Sequence, residues 1–332
     1  MKLVLLLLFL ILICGAEVEA QNVDQEDVIR TESDITNLPF TVTDKQHQFI
    51  TTLRAEDVRV LEDGVPQTLF TFQRETDRPL AIAFLIDVSI SQEATLPDEK
   101  AAARSFIENV IKSNRDQVAI LPFTGSAYLE QPLTRDVLNV YHVLERVEVA
   151  EPAYLGSGRP LTGIPTGPRL PATPPEGTTA IWDAVALTSS NVLSQAPGLR
   201  RRAVILLTDG LDTTSRLSLK EAANRALAAE TVVYVIGIGN NKLEGVYRDP
   251  LREIAERTGG RAFFPDKKFD MNAAFAEIER ELRTQYLIAY SSTNKQHDGA
   301  YRKITIEVTN PDLKKQKLQL RHRPGYFAKG GG

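Results

Sequence analysis

The chain has 332 residues, 42% of them hydrophobic and 25% charged, with a formal net charge of −4. That length allows one large domain or two smaller ones around a sizeable core, and the composition is that of a soluble globular protein. The mildly acidic balance argues against a nucleic-acid binder, whose mark is a basic face, so function has to be read from local motifs.

The first residues read as a targeting segment. Lys2 precedes an unbroken apolar run, Leu3 to Ile13, shorter than the roughly 20 residues a membrane-crossing helix needs. Val18-Glu19-Ala20 then offers small residues where a signal peptidase reads. This predicts a signal peptide over 1–20, cleaved after Ala20, and a secreted, periplasmic or envelope protein starting at Gln21. An uncleaved anchor and a lipoprotein signal at Cys14 compete with this reading, although Ile13 is bulkier than the lipoprotein motif prefers. Cys14 is the only cysteine, so after cleavage no disulfide is available and stability must come from core burial and any bound metal. No second run of spanning length follows, which predicts no membrane span after cleavage.

Residues 21–34 are polar and acidic and read as a flexible lead. Over 35–76 the pattern is one of short strands: Phe40 to Thr43, then Val58 to Glu62, a turn at Asp63-Gly64, and a return over Gln67 to Phe72. Asp-Gly between two alternating runs is a strong hairpin signal. Over 77–283 the character changes. Continuous apolar runs at Leu80 to Ile86, Val118 to Phe123, Ala203 to Leu207 and Thr231 to Ile238 suit strands buried on both faces. Helical spacing lies between and after them, at Pro97 to Lys112, Arg135 to Val147, Thr179 to Leu193, Leu217 to Ala229, Pro250 to Thr258 and Asp270 to Leu282. This alternation predicts an α/β fold, a doubly wound and mostly parallel sheet with helices on both faces. Tyr128 to Leu133 would add an antiparallel edge. Over 284–328 alternating strands return, at Gln285 to Ser291, Tyr301 to Val308 and Lys317 to Arg321. Neither terminal set makes a comfortable sheet alone, so the two are expected to combine into one β-sandwich with the α/β block inserted between them. No internal repeat is present. Residues 151–177 hold seven prolines and five glycines and read as a long loop running onto the site face at Thr179.

The chemistry lies where the buried strands end. Asp87-Val88-Ser89-Ile90-Ser91 follows the run ending at Ile86, and in an open α/β sheet ligands bind beyond the carboxyl ends of the strands. Spacing of i, i+2, i+4 in such a loop can aim three oxygens at one point. Thr179, at a helix start, and Asp209, in Thr208-Asp209-Gly210 after another buried strand, would reach the same edge. Two carboxylates and three hydroxyls form an all-oxygen set suited to a hard divalent cation: Mg2+, or Ca2+ or Mn2+. Taken singly, Asp-x-Ser-x-Ser reads as a helix cap and Thr-Asp-Gly as a turn. The ordered set of three reverses that weighting. Asp183 and Asp212 are nearby acids that suit turn or helix-dipole roles. The four histidines, His47, His142, His297 and His322, are scattered, and neither a Gly-x-Ser-x-Gly elbow nor a phosphate loop occurs.

This order of motifs resembles the metal-ion-dependent adhesion site of von Willebrand factor type A domains, across roughly residues 77–283. On the flanks, Val60 to Gln67, Gln285-Tyr286-Leu287 and Arg323 to Phe327 resemble the bacterial secreted proteins called VWFA-related. One departure is visible: Ile90-Ser91-Gln92 stands where many such proteins have Gly-Ser-Met. The resemblance implies a non-enzymatic binding or adhesion module. Asp87, Ser89, Ser91, Thr179 and Asp209 would hold the cation, and an Asp or Glu carboxylate of a protein partner would complete its shell. A scaffold with a purely structural metal site is the alternative. A Mg2+-dependent phosphohydrolase ranks below it, because Ser89 stands where the second acid should be.

Overall fold

The computed structural model describes residues 35–74, 78–112, 114–150, 178–197, 200–239, 246–265 and 268–328. The expected signal segment 1–20, the lead 21–34 and the Pro/Gly-rich 151–177 stretch lie outside them.

The middle of the chain builds a six-stranded sheet from β5 (Leu80–Asp87), β6 (Gln117–Phe123), β7 (Gln131–Thr134), β8 (Arg201–Thr208), β9 (Thr231–Gly237) and β10 (Ala262–Phe263). Its order is β10-β9-β8-β5-β6-β7, and all neighbours run parallel except β7, an antiparallel edge against β6. Each buried strand sends alternate residues to opposite faces. Leu80, Ile82, Phe84 and Ile86 of β5 pack with α1 (Leu96–Val110), α2 (Val137–Arg146) and α6 (Lys268–Thr284), where Phe84, Phe106 and Phe275 meet at centroid separations of 5.3–6.3 Å. The other face is floored by smaller residues, Ala81, Ala83 and Ala119. These let α3 (Ile181–Leu187), α4 (Leu219–Ala228) and α5 (Arg248–Thr258) approach through Ala184, Ala222, Ala223 and Ala226. The fold is thus α/β with helices on both faces of a mostly parallel sheet. The chain passes from β5 to β6 on one side and later to β8 on the other, so the order reverses at β5, and that is where a crevice opens beyond the strand ends.

The flanking strands form two four-stranded antiparallel sheets: β1 (Ile35–Thr43), β2 (Val58–Glu62), β3 (Val65–Pro66) and β4 (Leu69–Arg74) from one side of the α/β block, and β11 (Tyr286–Ser291), β12 (Tyr301–Val308), β13 (Gln319–His322) and β14 (Gly325–Phe327) from the other. The orders are β13-β1-β11-β4 and β14-β12-β2-β3, so each sheet mixes strands from both ends of the chain. Leu38, Phe40, Tyr286, Ile288 and Tyr290 of the first sheet share one core with Val58, Val60, Ile304 and Ile306 of the second. This is the expected sandwich. Arg74 pairs with Tyr286 in register, so the chain leaves for the α/β block and returns from it on neighbouring strands.

Two local expectations differ from the structure, and one further element stands beside them. The run after Asp63-Gly64 is not one returning strand. Both turn residues have positive φ, 49° and 84°, and β3 pairs with β2 for only two residues. Pro66 has no N–H to extend the ladder, and the chain crosses to place β4 against β11 in the other sheet. The helix expected over Thr179 to Leu193 is α-helical only to Leu187 and then widens into a π-helical turn at Thr188–Val192. There the Ser189 and Ser190 hydroxyls donate back to the carbonyls of Val185 and Ala186 and loosen the regular ladder. A short helix, α7 (Pro311–Lys315), precedes β13. Asn310 caps it and Pro311 occupies its first turn.

Glu62 ties the two sheets together. Its carboxylate is 3% exposed and accepts hydrogen bonds from the hydroxyls of Tyr290 (2.9 Å), Tyr326 (3.0 Å) and Ser292. Two of these donors belong to the opposite sheet. Replacing Glu62 by Ala strands the buried Tyr290 hydroxyl and removes a partner from the half-buried Tyr326, while Ser292 keeps its bonds to Asn294, and we expect a loss of about 2–3 kcal/mol of unfolding free energy, against about 1 kcal/mol for Tyr290→Phe. Urea titration of both variants checks this; equal small losses would mean Glu62 is not the tie.

Candidate metal centre

Asp87 ends β5 and is wholly buried. One carboxylate oxygen accepts the Ser89 amide at 3.0 Å. The other accepts the Thr208 hydroxyl at 2.6 Å from the end of β8. This second bond ties the two strands flanking the reversal point, and Thr208 Oγ1 also accepts the Gly210 amide at 3.1 Å. The loop after β5 makes a 3-10 turn over Ile90–Gln92. It places the Ser89 and Ser91 hydroxyls 3.0 Å apart and half-buried, while Ile90 between them points outward, 54% exposed.

Asp209 follows Thr208 directly and is 7% exposed. Its Oδ1 accepts the Leu211 amide at 3.0 Å and its carbonyl accepts the Tyr247 amide at 2.8 Å. Gly210 makes this turn with φ of 88°, and a Cβ there would meet Leu251 Cδ1 and the Tyr247 carbonyl at 2.8 Å. The third position of Thr-Asp-Gly therefore admits glycine alone without strain.

Thr179 is held between the strand ends on either side of β5. Its carbonyl accepts the Thr213 and Thr214 amides at 2.8 and 3.1 Å from the loop after β8. The next amide, of Ala180, donates to Thr124 O at 2.9 Å just past β6. Its own amide donates to Thr213 Oγ1 at 2.8 Å, and its hydroxyl makes no hydrogen bond among the described residues. Helix α3 begins after Ala180, which has no capping side chain. Asp212 supplies the cap from the neighbouring loop, accepting the Ile181 amide at 2.7 Å, and Ser215 accepts the Trp182 amide at 3.0 Å. Asp183 accepts the Arg216 and Leu217 amides at 3.2 and 2.9 Å. Asp212 and Asp183 thus serve as cap and loop clasp, the turn and helix-dipole roles the sequence suggested.

All five predicted residues lie at the carboxyl edge of the sheet. Direct side-chain contact joins Ser89 to Ser91. Asp87 and Asp209 interact through their charges, and the Thr179 segment is brought alongside by backbone bonds. The donors are oxygens only. Among the described residues no three acidic, histidine or cysteine side chains stand close enough together to hold an ion; the set expected from the sequence carries two carboxylates. Burial, and then the charge of Asp209, push the Asp87 carboxyl up to about 6 against the hydrogen bonds from Ser89 and Thr208. A cation between the two acids would relieve that repulsion, so the residues present fit a hard divalent ion.

Two contributors escape a motif reading. Thr208 orients Asp87, although only its neighbour belongs to the expected ligand set. Glu99 on α1 is wholly buried, and burial, with smaller pushes from the charges of Asp87, Asp209 and Asp98, raises it to about 8 against the pull of the Thr95 hydroxyl. A helical-wheel reading would have found it: Leu96, Glu99, Ala103, Phe106 and Val110 share one stripe, so an acid sits on the core face.

The two raised acids give a signed expectation. In the unfolded chain they titrate near 3.8 and 4.5, so folding favours their protonated forms. Their contribution to ion-free stability is whole below about pH 4 and is lost as pH rises through about 6 and then about 8. Urea titrations in EDTA at about pH 5, 6.5 and 8 should show wild type losing more stability over that span than Glu99→Gln. Parallel pH profiles would contradict the assignment. Thr208→Val should cost about 1–3 kcal/mol by leaving the Asp87 oxygen and the Gly210 amide unpaired, which the same titration reads.

The von Willebrand factor type A domain model matches residues 170–279, a stretch that includes Thr179 and Asp209 and starts after Asp87, Ser89 and Ser91. No curated protein matches the chain in sequence. Among solved structures, a von Willebrand factor type A protein from Catenulispora acidiphila aligns at 13% identity and TM-score 0.49, covering 90% of this chain and 74% of that one. BatB from Bacteroides thetaiotaomicron aligns at 19% identity and TM-score 0.46, covering 62% of this chain and 100% of that one. Proximal thread matrix protein 1 from the mussel byssus, in a structure with a zinc-occupied MIDAS motif, aligns at 18% identity and TM-score 0.49, covering 67% and 50%. The matched stretch covers about a third of the chain and includes β8, β9 and β10 of the doubly wound sheet, so over those residues this chain is similar to a von Willebrand factor type A domain.

Proposed function

We propose that this protein is an exported, metal-dependent protein-binding module of the VWFA-related kind. On this reading residues 77–283 form the binding domain, 35–76 and 284–328 form the sandwich that carries it, and 1–20 direct export. Among the described residues no helix is long and apolar enough to cross a membrane. The observation that carries the proposal is the placement of Asp87, Ser89, Ser91 and Asp209 beyond the ends of β5 and β8, with the Thr179 segment bonded between them and no basic side chain in the set.

Asp87, Ser89, Ser91, Thr179 and Asp209 would hold the ion, with Mg2+ first and Ca2+ or Mn2+ as substitutes. Bound there, a divalent cation supplies a coordination position for a carboxylate from outside. Two carboxylates among five ligands leave the site electrophilic toward that group, and Thr208 fixes the orientation of Asp87. A protein partner presenting Asp or Glu suits this better than a free small acid. Ile90 stands 54% exposed beside the serines, and Tyr247, whose amide bonds the Asp209 carbonyl, is 43% exposed. Apolar and aromatic groups around a polar anchor are the makings of a protein interface. On this reading the site works by coordination and contact, with its hydroxyls and carboxylates engaged as ligands, and we assign it no catalytic role.

Melting curves in Mg2+ and in EDTA test the proposal. Wild type should gain stability by mass action, about 2.7 kcal/mol at an ion concentration 100 times the dissociation constant. Asp87→Ala and Asp209→Ala should fold and lose the gain: both acids sit at polar strand ends where truncation opens no apolar cavity, although Asp87→Ala also lowers ion-free stability by unpairing the Thr208 hydroxyl and the Ser89 amide. Mutants that still gain as the wild type does would put the ion elsewhere. Pull-downs from the native envelope in Mg2+ against EDTA then separate a regulated ligand from a purely structural metal.

A further inference from the structure

The turn that leads from the Asp87 loop into helix α1 and the first turn of that helix present a polar column. Gln92, Thr95 and Glu99 succeed one another at intervals of three and four residues, on the face that otherwise carries Leu96, Ala103 and Phe106. Gln92 and Glu99 are both 0% exposed. The Thr95 hydroxyl lies beside Glu99 but directs its proton to Gln92 Oε1 at 3.0 Å. Neither Glu99 oxygen has a hydrogen-bond partner. The charged groups acting on it are Asp87 and Asp209 from the strand ends and Asp98 from its own helix, all of the same sign.

A buried acid with a purely structural role looks different in this protein. Asp116, equally buried at the opposite end of the sheet, accepts the Leu80 amide (2.9 Å), the Lys112 amide (2.9 Å) and the Arg283 guanidinium (3.0 Å). Glu99 has no such set. A buried carboxylate left without donors is costly, and the two acids it faces belong to the candidate cation site. It is not close enough to them to join the ligands.

We propose that Glu99 is a third carboxylate of the cation site, a positioning charge acting from behind Asp87 and Asp209 to set how tightly the site holds a cation and how strongly it favours a higher charge. The proposal rests on the metal-site reading above. Its physics is Coulombic: an arriving cation drives the proton off Glu99 into solvent, and the carboxylate so formed in a poorly screened interior attracts the ion in proportion to the ion's charge. Outer groups hydrogen-bonded to ligands typically account for 10- to 100-fold in metal affinity, and a carboxylate acting through its charge alone is expected at the lower end of that range. Loss of the charge by Glu99→Gln should therefore weaken a trivalent ion by about 1.5 times as many logarithmic units as a divalent one, about 30-fold against about 10-fold.

Calorimetric titration of the full chain with Mg2+ alone and with Tb3+ alone, at neutral pH, tests this on wild type, Glu99→Gln, Glu99→Met and Asp209→Asn. The expected result is a roughly tenfold loss for Mg2+ and a larger loss for Tb3+ in both Glu99 variants. Their melting temperatures in EDTA should be no lower than that of wild type, because a neutral side chain suits the site better when no ion is bound. A role in packing alone would leave the ratio of the two affinities unchanged, and equal losses for the two ions overturn the proposal. Wild-type affinities in the Glu99 variants alongside a loss in Asp209→Asn also overturn it and leave the metal-site reading standing. A wild type that binds neither ion overturns both.

Discussion

The hydrogen bond from Thr208 to Asp87 is the contact on which the site depends. It crosses from β8 to β5 at the one place where the strand order reverses. It also fixes a carboxylate at the end of a strand with no exposed surface. Burial alone would favour the protonated acid there; the hydroxyl at 2.6 Å and the Ser89 amide at 3.0 Å pull the other way. An acid poised in this manner is held ready for a cation instead of being neutralised by an internal base. The other features of the edge maintain that state: Gly210 turns the chain tightly enough to bring Asp209 alongside, and Asp212 and Ser215 fasten the start of α3 so that Thr179 stays beside the strand ends.

The sandwich bears on the site through the points where the chain leaves and returns. Arg74 and Tyr286 pair in register, so the α/β block hangs from neighbouring strands of one sheet. Near the return, Arg283 at the end of α6 bonds Asp116, which also holds the amide that starts β5. The N-terminal edge of the central strand is thereby clamped at the end remote from the metal face. Rigid anchoring at one edge and polar loops at the other is the usual division of labour in open α/β sheets, where precise sites stand on fixed strands.

Much of this was legible in the sequence because the periods involved are unambiguous. Continuous runs such as Leu80 to Ile86 admit only a strand covered on both faces, and the motif after it falls at the carboxyl edge by topology alone. The misreadings share one cause, competition between local pattern and a tertiary partner. The run Gln67 to Phe72 alternates like the far arm of a hairpin, yet Pro66 ends that ladder and β11 offers a longer one. Thr188 to Val192 carries helical spacing, yet its serines bond back to the backbone and widen the turn. Helix α7 was announced by Asn310-Pro311, a cap followed by a first-turn proline, but five residues are too few for periodicity to register. Thr208 and Glu99 escaped for a different reason. Neither has a distinctive spacing relative to the ligands, and their relevance appears only when β8 and α1 are set against β5.

The departure from the family pattern at Gln92 gains meaning in this light. Where many related loops have an apolar methionine, this chain buries an amide whose oxygen takes the Thr95 hydroxyl. That directs the Thr95 hydroxyl mainly to Gln92 and leaves it only a weak pull on Glu99. An apolar residue at 92 would free Thr95 to donate to the Glu99 carboxylate and so offset part of its charge. With glutamine there, the helix beneath the loop keeps one carboxylate uncompensated and directly under two others. The arrangement costs stability in the absence of an ion and returns it when positive charge arrives between Asp87 and Asp209. On the proposed reading, stability and cation occupancy are coupled through residues that are not themselves ligands. In a chain whose only cysteine lies within the expected signal segment, that coupling is a means by which a fold without disulfides could be firmest when its binding face is loaded.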